Sequence, residues 1–211
     1  MNRLTRQLTE VLGPGMTVPE ELDRLYGWIE THATVTDHEG FLSGFLDVPD
    51  DSGYATNIEF RADGTDCLEH WFGTDDRAVL DRVCVFAQTG GDGSMAALWI
   101  DDDGRQRIVH MGSGSGSTAV CVLGETPLDF LRLVAIGYDE LCWSREWSGP
   151  PTFDEIDGEA TRDPDCAYRR WLLAEFDTTI PERALDLVTL AEMEDEDPSD
   201  PFARWLTTID A

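Results

Sequence analysis

Lysine is absent from the chain. All 15 basic residues are arginines, set against 43 carboxylates, and the formal net charge is −28 over 211 residues. A surface so short of cations repels phosphate backbones, because nucleic-acid affinity rests largely on Lys and Arg contacts to phosphate; no nucleic-acid partner is expected. Without lysine a phosphate-binding P-loop cannot be completed, so "GSGSGST" at 112–118 reads as a flexible strand connector. Long apolar runs are missing too. No stretch approaches the roughly 20 residues that span a bilayer, and "MNRLTRQLTEVLGPG" lacks the apolar block and cleavage site of a secretory signal. The expectation is a cytoplasmic protein that does not contact membrane. Cysteines are few and never occur as C-x-x-C: Cys67, Cys84, Cys121, Cys142 and Cys166 are widely spread and odd in number. That argues against a disulfide framework or structural zinc, and Cys84 and Cys121, inside apolar runs, read as small buried hydrophobes.

Catalytic signatures are equally scarce. Gly91-x-Gly93-x-x-Ala96 follows a strand-like run and opens like a dinucleotide-binding loop. Such a loop needs a helix after it to hold the pyrophosphate, and "SMAALWI" runs at once into "DDDG", leaving no room for a crossover helix. The glycines therefore read as an antiparallel hairpin turn, with Asp103-Gly104 making the next one. "DDDG" resembles the start of a calcium loop but continues as "RQRI", a strand. His32, His38, His70 and His110 form no H-E-x-x-H, and "DHE" and "EHW" place neighbours on opposite strand faces. No G-x-S-x-G elbow occurs. The residues predict no cofactor, no metal and no catalytic set.

What is present is a globular composition, 41% hydrophobic and 9% aromatic, which argues against disorder throughout. Leu4, Leu8, Val11 and Leu12 predict an opening helix that "GPG" stops. "TVPEELDRLYGWIETH" predicts a second, capped by Thr17 with Pro19 in its first turn and Leu22, Leu25, Tyr26 and Ile29 on one face. Residues 33–72 read as strands and polar turns, 74–82 as a short capped helix. Strands follow at "VCVFAQ", "MAALWI", "RQRIVHM" and "TAVCVL". "TPLDFLRLVAIG" predicts a helix capped by Thr126 with Asp129 three residues on. After Trp147, "SGPPTFDEIDGEATRDPD" reads as a linker. Three helices are then expected, in "CAYRRWLLAEF", "PERALDLVTLAEM" and "PFARWL", with "EMEDEDPSD" a solvated charge run. The expected division is 1–148, an α+β domain, and 149–211, an acidic linker and helical extension. The acidity is distributed, with 17 acids and 5 arginines in residues 150–211. Such charge attracts a basic protein at long range and also serves solubility or a salty cytoplasm.

"VPEELDRLY" (Val18 to Tyr26) resembles the first signature of the SUKH superfamily, and "VCVFAQTGGDGSMAALWIDDDG" resembles its second. "IVHMG" (Ile108 to Gly112) and the helix in "TPLDFLRLVAIG" follow in the family's order, over roughly residues 16–142. The Asn-Gly that many relatives carry after the first helix is replaced here by "GWIETHATVTDHEG", and the extension after Trp147 lies outside the shared core. The resemblance implies an α+β domain with one curved, mainly antiparallel sheet and helices packed on it. It also implies a non-enzymatic role: an immunity protein that neutralises a toxin, often a nuclease, or an adaptor like the fungal cell-wall regulator; the acidity of the chain fits a basic, nuclease-type toxin. A hydrolase with an unrecognised Asp/His site is a third reading. The candidate contact residues are acids in turns, Asp50, Asp51, Asp92, Asp101, Asp102 and Asp103, chosen for expected exposure and charge.

Overall fold

The computed structural model describes residues 1–51, 53, 56–151 and 165–209. Most of the linker expected at 148–165 lies outside the described residues.

The fold is α+β. Seven antiparallel strands lie side by side in chain order: β1 (Val35–His38), β2 (Phe41–Gly44), β3 (Glu59–Gly64), β4 (Val83–Gln88), β5 (Met95–Ile100), β6 (Gln106–Met111) and β7 (Val120–Val122). Helices α1 (Arg3–Val11), α2 (Glu20–His32) and α5 (Pro127–Val134) cover one face. Short helices α3 (Leu68–Phe72) and α7 (Pro201–Leu206) cover the other. Helix α4 (Arg77–Leu80) precedes β4, and α6 (Ala167–Phe176) packs outside α2 and α5.

Covering both faces explains the strand sequences. A half-exposed strand alternates polar and apolar residues, whereas β4 and β5 are apolar in succession because both faces are buried. In register, Val83 faces Trp99 and Val85 faces Ala97, while Cys84 pairs with Leu98 on the opposite face. The Cys84 thiol points at the Val11 carbonyl of α1, 3.7 Å away, and Trp99 packs edge-on to Phe202 of α7 at 5.2 Å. A bulge between Val85 and Ala87 leaves Phe86 edge-on to Phe130 of α5.

Thr126 and Asp129 form the expected reciprocal cap of α5, with Pro127 at its first position. Helix α2 begins without the expected Thr17 cap. Pro19 occupies that position, and Glu20, Glu21 and Asp23 in the first turn complement the helix dipole. Thr17 instead exchanges two backbone hydrogen bonds with the Gln106 side chain, at 2.9 and 2.8 Å, which ties the helix entry to β6. "CLEHWF", expected within the strand region, forms α3. Its Trp71 indole donates to the Gly112 carbonyl at 2.8 Å, and Gly73, at φ 69°, closes it in the left-handed region that favours glycine.

Residues 165–209 bury themselves in the same core as the rest of the chain. Tyr168 of α6 packs beside Trp28 at a tilt of 55° and donates to the Leu131 carbonyl at 2.8 Å. The helix expected over Pro181–Met193 does not form. A single 3-10 turn, Ala184–Asp186, leads into an extended strap along β7. The Val120 N–H donates to Ala191 O, and the Met193 N–H to Thr118 O, both at 2.9 Å. A helix there would keep those groups for itself, whereas the extended strap pairs the open edge of β7. The strap then delivers α7 to the second face.

Candidate functional site

Each predicted contact residue has a definite place, and the structure does not bring the six together. Asp92 sits in the β4–β5 hairpin, Asp101 to Asp103 in the β5–β6 hairpin at the other end of those strands, and Asp50 and Asp51 beside the start of α6.

Three of the six do not project freely as expected. Asp101 is only 8% exposed; it accepts N–H bonds from Asp103 and Arg105 at 3.0 and 2.8 Å and pairs with Arg107 at 2.9 Å. Burial pushes its carboxyl up, but the Arg107 guanidinium and those N–H groups outweigh it and leave it below the ordinary range. Asp92 accepts from the Ser94 N–H, the Ser94 hydroxyl and, across the connector, the Ser113 hydroxyl at 2.8 Å. Burial raises it and these donors lower it further, for a net depression. Asp51 accepts the Ala167 N–H at 2.6 Å and pairs with Arg170 at 3.1 Å, holding the start of α6. Short polar side chains stabilise turns by bonding to nearby N–H groups, which turns them inward.

Asp50, Asp102 and Asp103 do face solvent. Asp102 pairs with Arg82 at 2.8 Å yet remains 79% exposed, and Asp103 lies 3.4 Å from Arg105.

The buried Asp101–Arg107 pair supplies one prediction. Asp101→Asn is expected to lower stability by about 2–4 kcal/mol at pH 7, since it leaves the half-buried Arg107 with only the exposed Glu125 carboxylate, 3.7 Å away. A carboxyl with a depressed folded pKa stabilises above its unfolded value, near 4, and that contribution fades as pH falls through the folded value. Urea melts of both proteins should therefore converge at low pH.

His110 is fully buried, its Nδ1–H donating to Ala119 O at 3.0 Å and its ring edge-on to Trp147. Burial pushes its pKa down to about 4, so it is a neutral core residue at pH 7. The five cysteines are all free. Burial pushes the Cys84 thiol up to about 12, and it raises Cys121 and Cys142 as well, with Glu140 adding to the effect on Cys142. Among the described residues, no group of three His, Cys, Asp or Glu side chains could hold a metal ion, and no helix is long and apolar enough to cross a membrane.

The feature that sequence reasoning missed is an open groove of about 540 Å³ on the second face, between α3, the 112–118 connector, the strap and α7. Val120, Phe72 and Ala203 form a buried apolar floor, Leu206 and Ile209 extend it, and Met193 stands 40% exposed at its side. Glu192, Asp195 and His70 also line the groove and are exposed. Nothing in a linear reading could assemble it, because its walls come from four separate segments. The only available signal was Met193, a flexible apolar residue amid the acids of "EMEDED".

Comparison with protein-family models, with curated proteins and with solved structures returned no match. The fold and site define an α+β protein with a doubly covered antiparallel sheet, an acidic surface and a groove with an apolar floor and polar rim.

Proposed function

We propose that the chain is a non-enzymatic binding protein that neutralises a basic protein partner by surface contact, in the manner of an immunity protein facing a nuclease-type toxin. The observation that carries this reading is how the charges are distributed after folding. Among the described residues, ten arginines pair with carboxylates of the same chain, among them Arg3, Arg24, Arg82 and Arg170. The large remaining excess of acids has no internal cation to balance it. Exposed runs such as Glu192 and Glu194 to Asp197, and the solvent-facing Asp50, Asp102 and Asp103, therefore present a negative field to the surroundings. A protein built to grip phosphates carries the complementary cleft. The resemblance to the SUKH signatures supports the same reading.

The test is capture from a lysate of the source organism, with the protein as bait at about 50 mM and then 500 mM salt, a range over which the Debye length shortens severalfold. The expected result is a basic protein that elutes with salt and whose activity the purified bait inhibits. A partner that resists salt would favour the adaptor role instead, and recovery of no basic protein would remove the reading. Once the partner is in hand, reversing Asp102 and Asp103 together to arginine is expected to slow association about tenfold at low salt, measured by stopped flow, with a smaller effect on dissociation.

A further inference from the structure

The geometry points to the groove between α3 and α7 as the docking place for a basic amphipathic segment of the partner, apolar side chains inward and arginine or lysine toward the strap. This assignment rests on the binding-protein reading above and adds where the contact is made and by what chemistry. The groove's volume, about 540 Å³, is room for a few side chains. Its floor of Phe72, Val120 and Ala203 is apolar and offers nothing to a purely charged ligand. Met193 beside it can adjust its shape to the side chain it meets, as methionine does at adaptable binding surfaces.

Charge selects the occupant. Glu192 and Asp195 stand on the rim, and Glu194, Glu196 and Asp197 continue the same exposed strap; among the described lining residues there is no arginine. Arg204, on α7, does not line the groove and donates to the Ser199 carbonyl at 2.8 Å. A second copy of this chain would bring its own share of −28 against that strap, so self-association through the groove is opposed. An anionic membrane surface or a nucleic acid is repelled for the same reason. A helix with an apolar stripe and a basic face satisfies both floor and rim, and apolar stripes in grooves are a recurrent mode of recognition.

The probe is a synthetic 15-residue helical peptide with leucines on one face and arginines on the other. Its control has the same composition with the two residue types spread over all faces. Titration calorimetry at low salt is expected to show the amphipathic peptide binding about tenfold or more tightly than the control. Met193 and Thr207 are both exposed on the groove, so the double variant Met193→Arg/Thr207→Arg should fold and should weaken the amphipathic peptide about tenfold. Glu10→Arg changes the net charge by the same two units on α1, on the opposite face of the sheet, and should stay within about twofold. In the wild-type protein the Trp71 indole N–H resonance should shift on addition of the amphipathic peptide, a readout that depends on no variant. Equal affinity for the two peptides, equal loss in the two variants, or an unmoved Trp71 resonance would overturn the groove assignment while leaving the basic-partner reading intact. Binding of neither peptide would likewise overturn the groove assignment, whereas the basic-partner reading falls only if the capture experiment recovers no basic protein.

Discussion

A chain ending at Ser148 is expected to lose its native fold. Residues 165–209 contribute buried Tyr168, Leu172, Val188, Phe202 and Trp205 to the common core, and their removal uncovers Trp99, Val120 and Trp147. At about 1.5–3 kcal/mol for each large apolar side chain, the loss is on the order of 10 kcal/mol or more. Total stabilities of domains are roughly 5–15 kcal/mol, so little would remain. Polar contacts go as well. The Ala184 N–H donates to the Tyr138 hydroxyl at 3.0 Å, the hydroxyl donates to Gly149 O at 2.6 Å, and β7 regains an open edge when the strap leaves. Near-UV circular dichroism and urea melts of the truncated and full chains would check this. A truncated protein with a sharp transition and native near-UV signal would show that residues 1–148 form an independent unit, and that the extension only decorates it.

Asp200→Ala is expected to cost about 2–4 kcal/mol, a large effect for one polar side chain. Asp200 is 2% exposed and works in two directions. One oxygen accepts the Phe202 and Ala203 N–H groups, at 2.8 and 3.0 Å, and caps α7; the other accepts the Val122 N–H of β7 at 2.9 Å. Losing the cap costs about 1 kcal/mol. A buried Val122 N–H left without a partner adds roughly 1–3 kcal/mol. Asp200→Asn separates the two, since its single oxygen can keep the cap while the amide nitrogen cannot accept from Val122.

The pH dependence of this site has its own sign. Burial raises the Asp200 carboxyl above its ordinary value, and the bonds from Val122, Ala203 and Phe202 offset that only in part. A carboxyl raised in the folded state contributes stability below its unfolded pKa, near 4, and loses it as pH rises through the folded value. The gap between wild type and Asp200→Ala should therefore narrow as pH rises, the reverse of the trend for Asp101→Asn. A gap that widens with pH would mean that the three N–H donors outweigh burial.

Much of the fold was legible because its signals are local. Thr126-Pro-Leu-Asp129 carries both halves of a helix cap within four residues, and the structure forms it. "VCVFAQ" and "MAALWI" are short apolar runs bounded by turn residues, a pattern that favours strands, and β4 and β5 occupy those spans. The hairpin reading of the glycines after β4 also follows from length alone, since two strands six residues apart cannot enclose a crossover helix.

The rest depended on partners distant in sequence. "PERALDLVTLAEM" has helical composition, yet the β7 edge captures its backbone at Ala191 and Met193, and tertiary hydrogen bonds override a propensity worth tenths of a kcal/mol per residue. Asp51, Asp92 and Asp101 look like Asp50, Asp102 and Asp103 in the sequence, and only the folded turns separate those that bond inward from those that face water. By itself the sequence determined an acidic α+β chain, the strands from β4 onward and the reciprocally capped helix α5, because periodicity, caps and turn residues act over a few positions. The tertiary structure decided that residues 165–209 pack against both sides of the molecule, and it built the groove from four segments, because burial and edge pairing are settled only when distant segments meet.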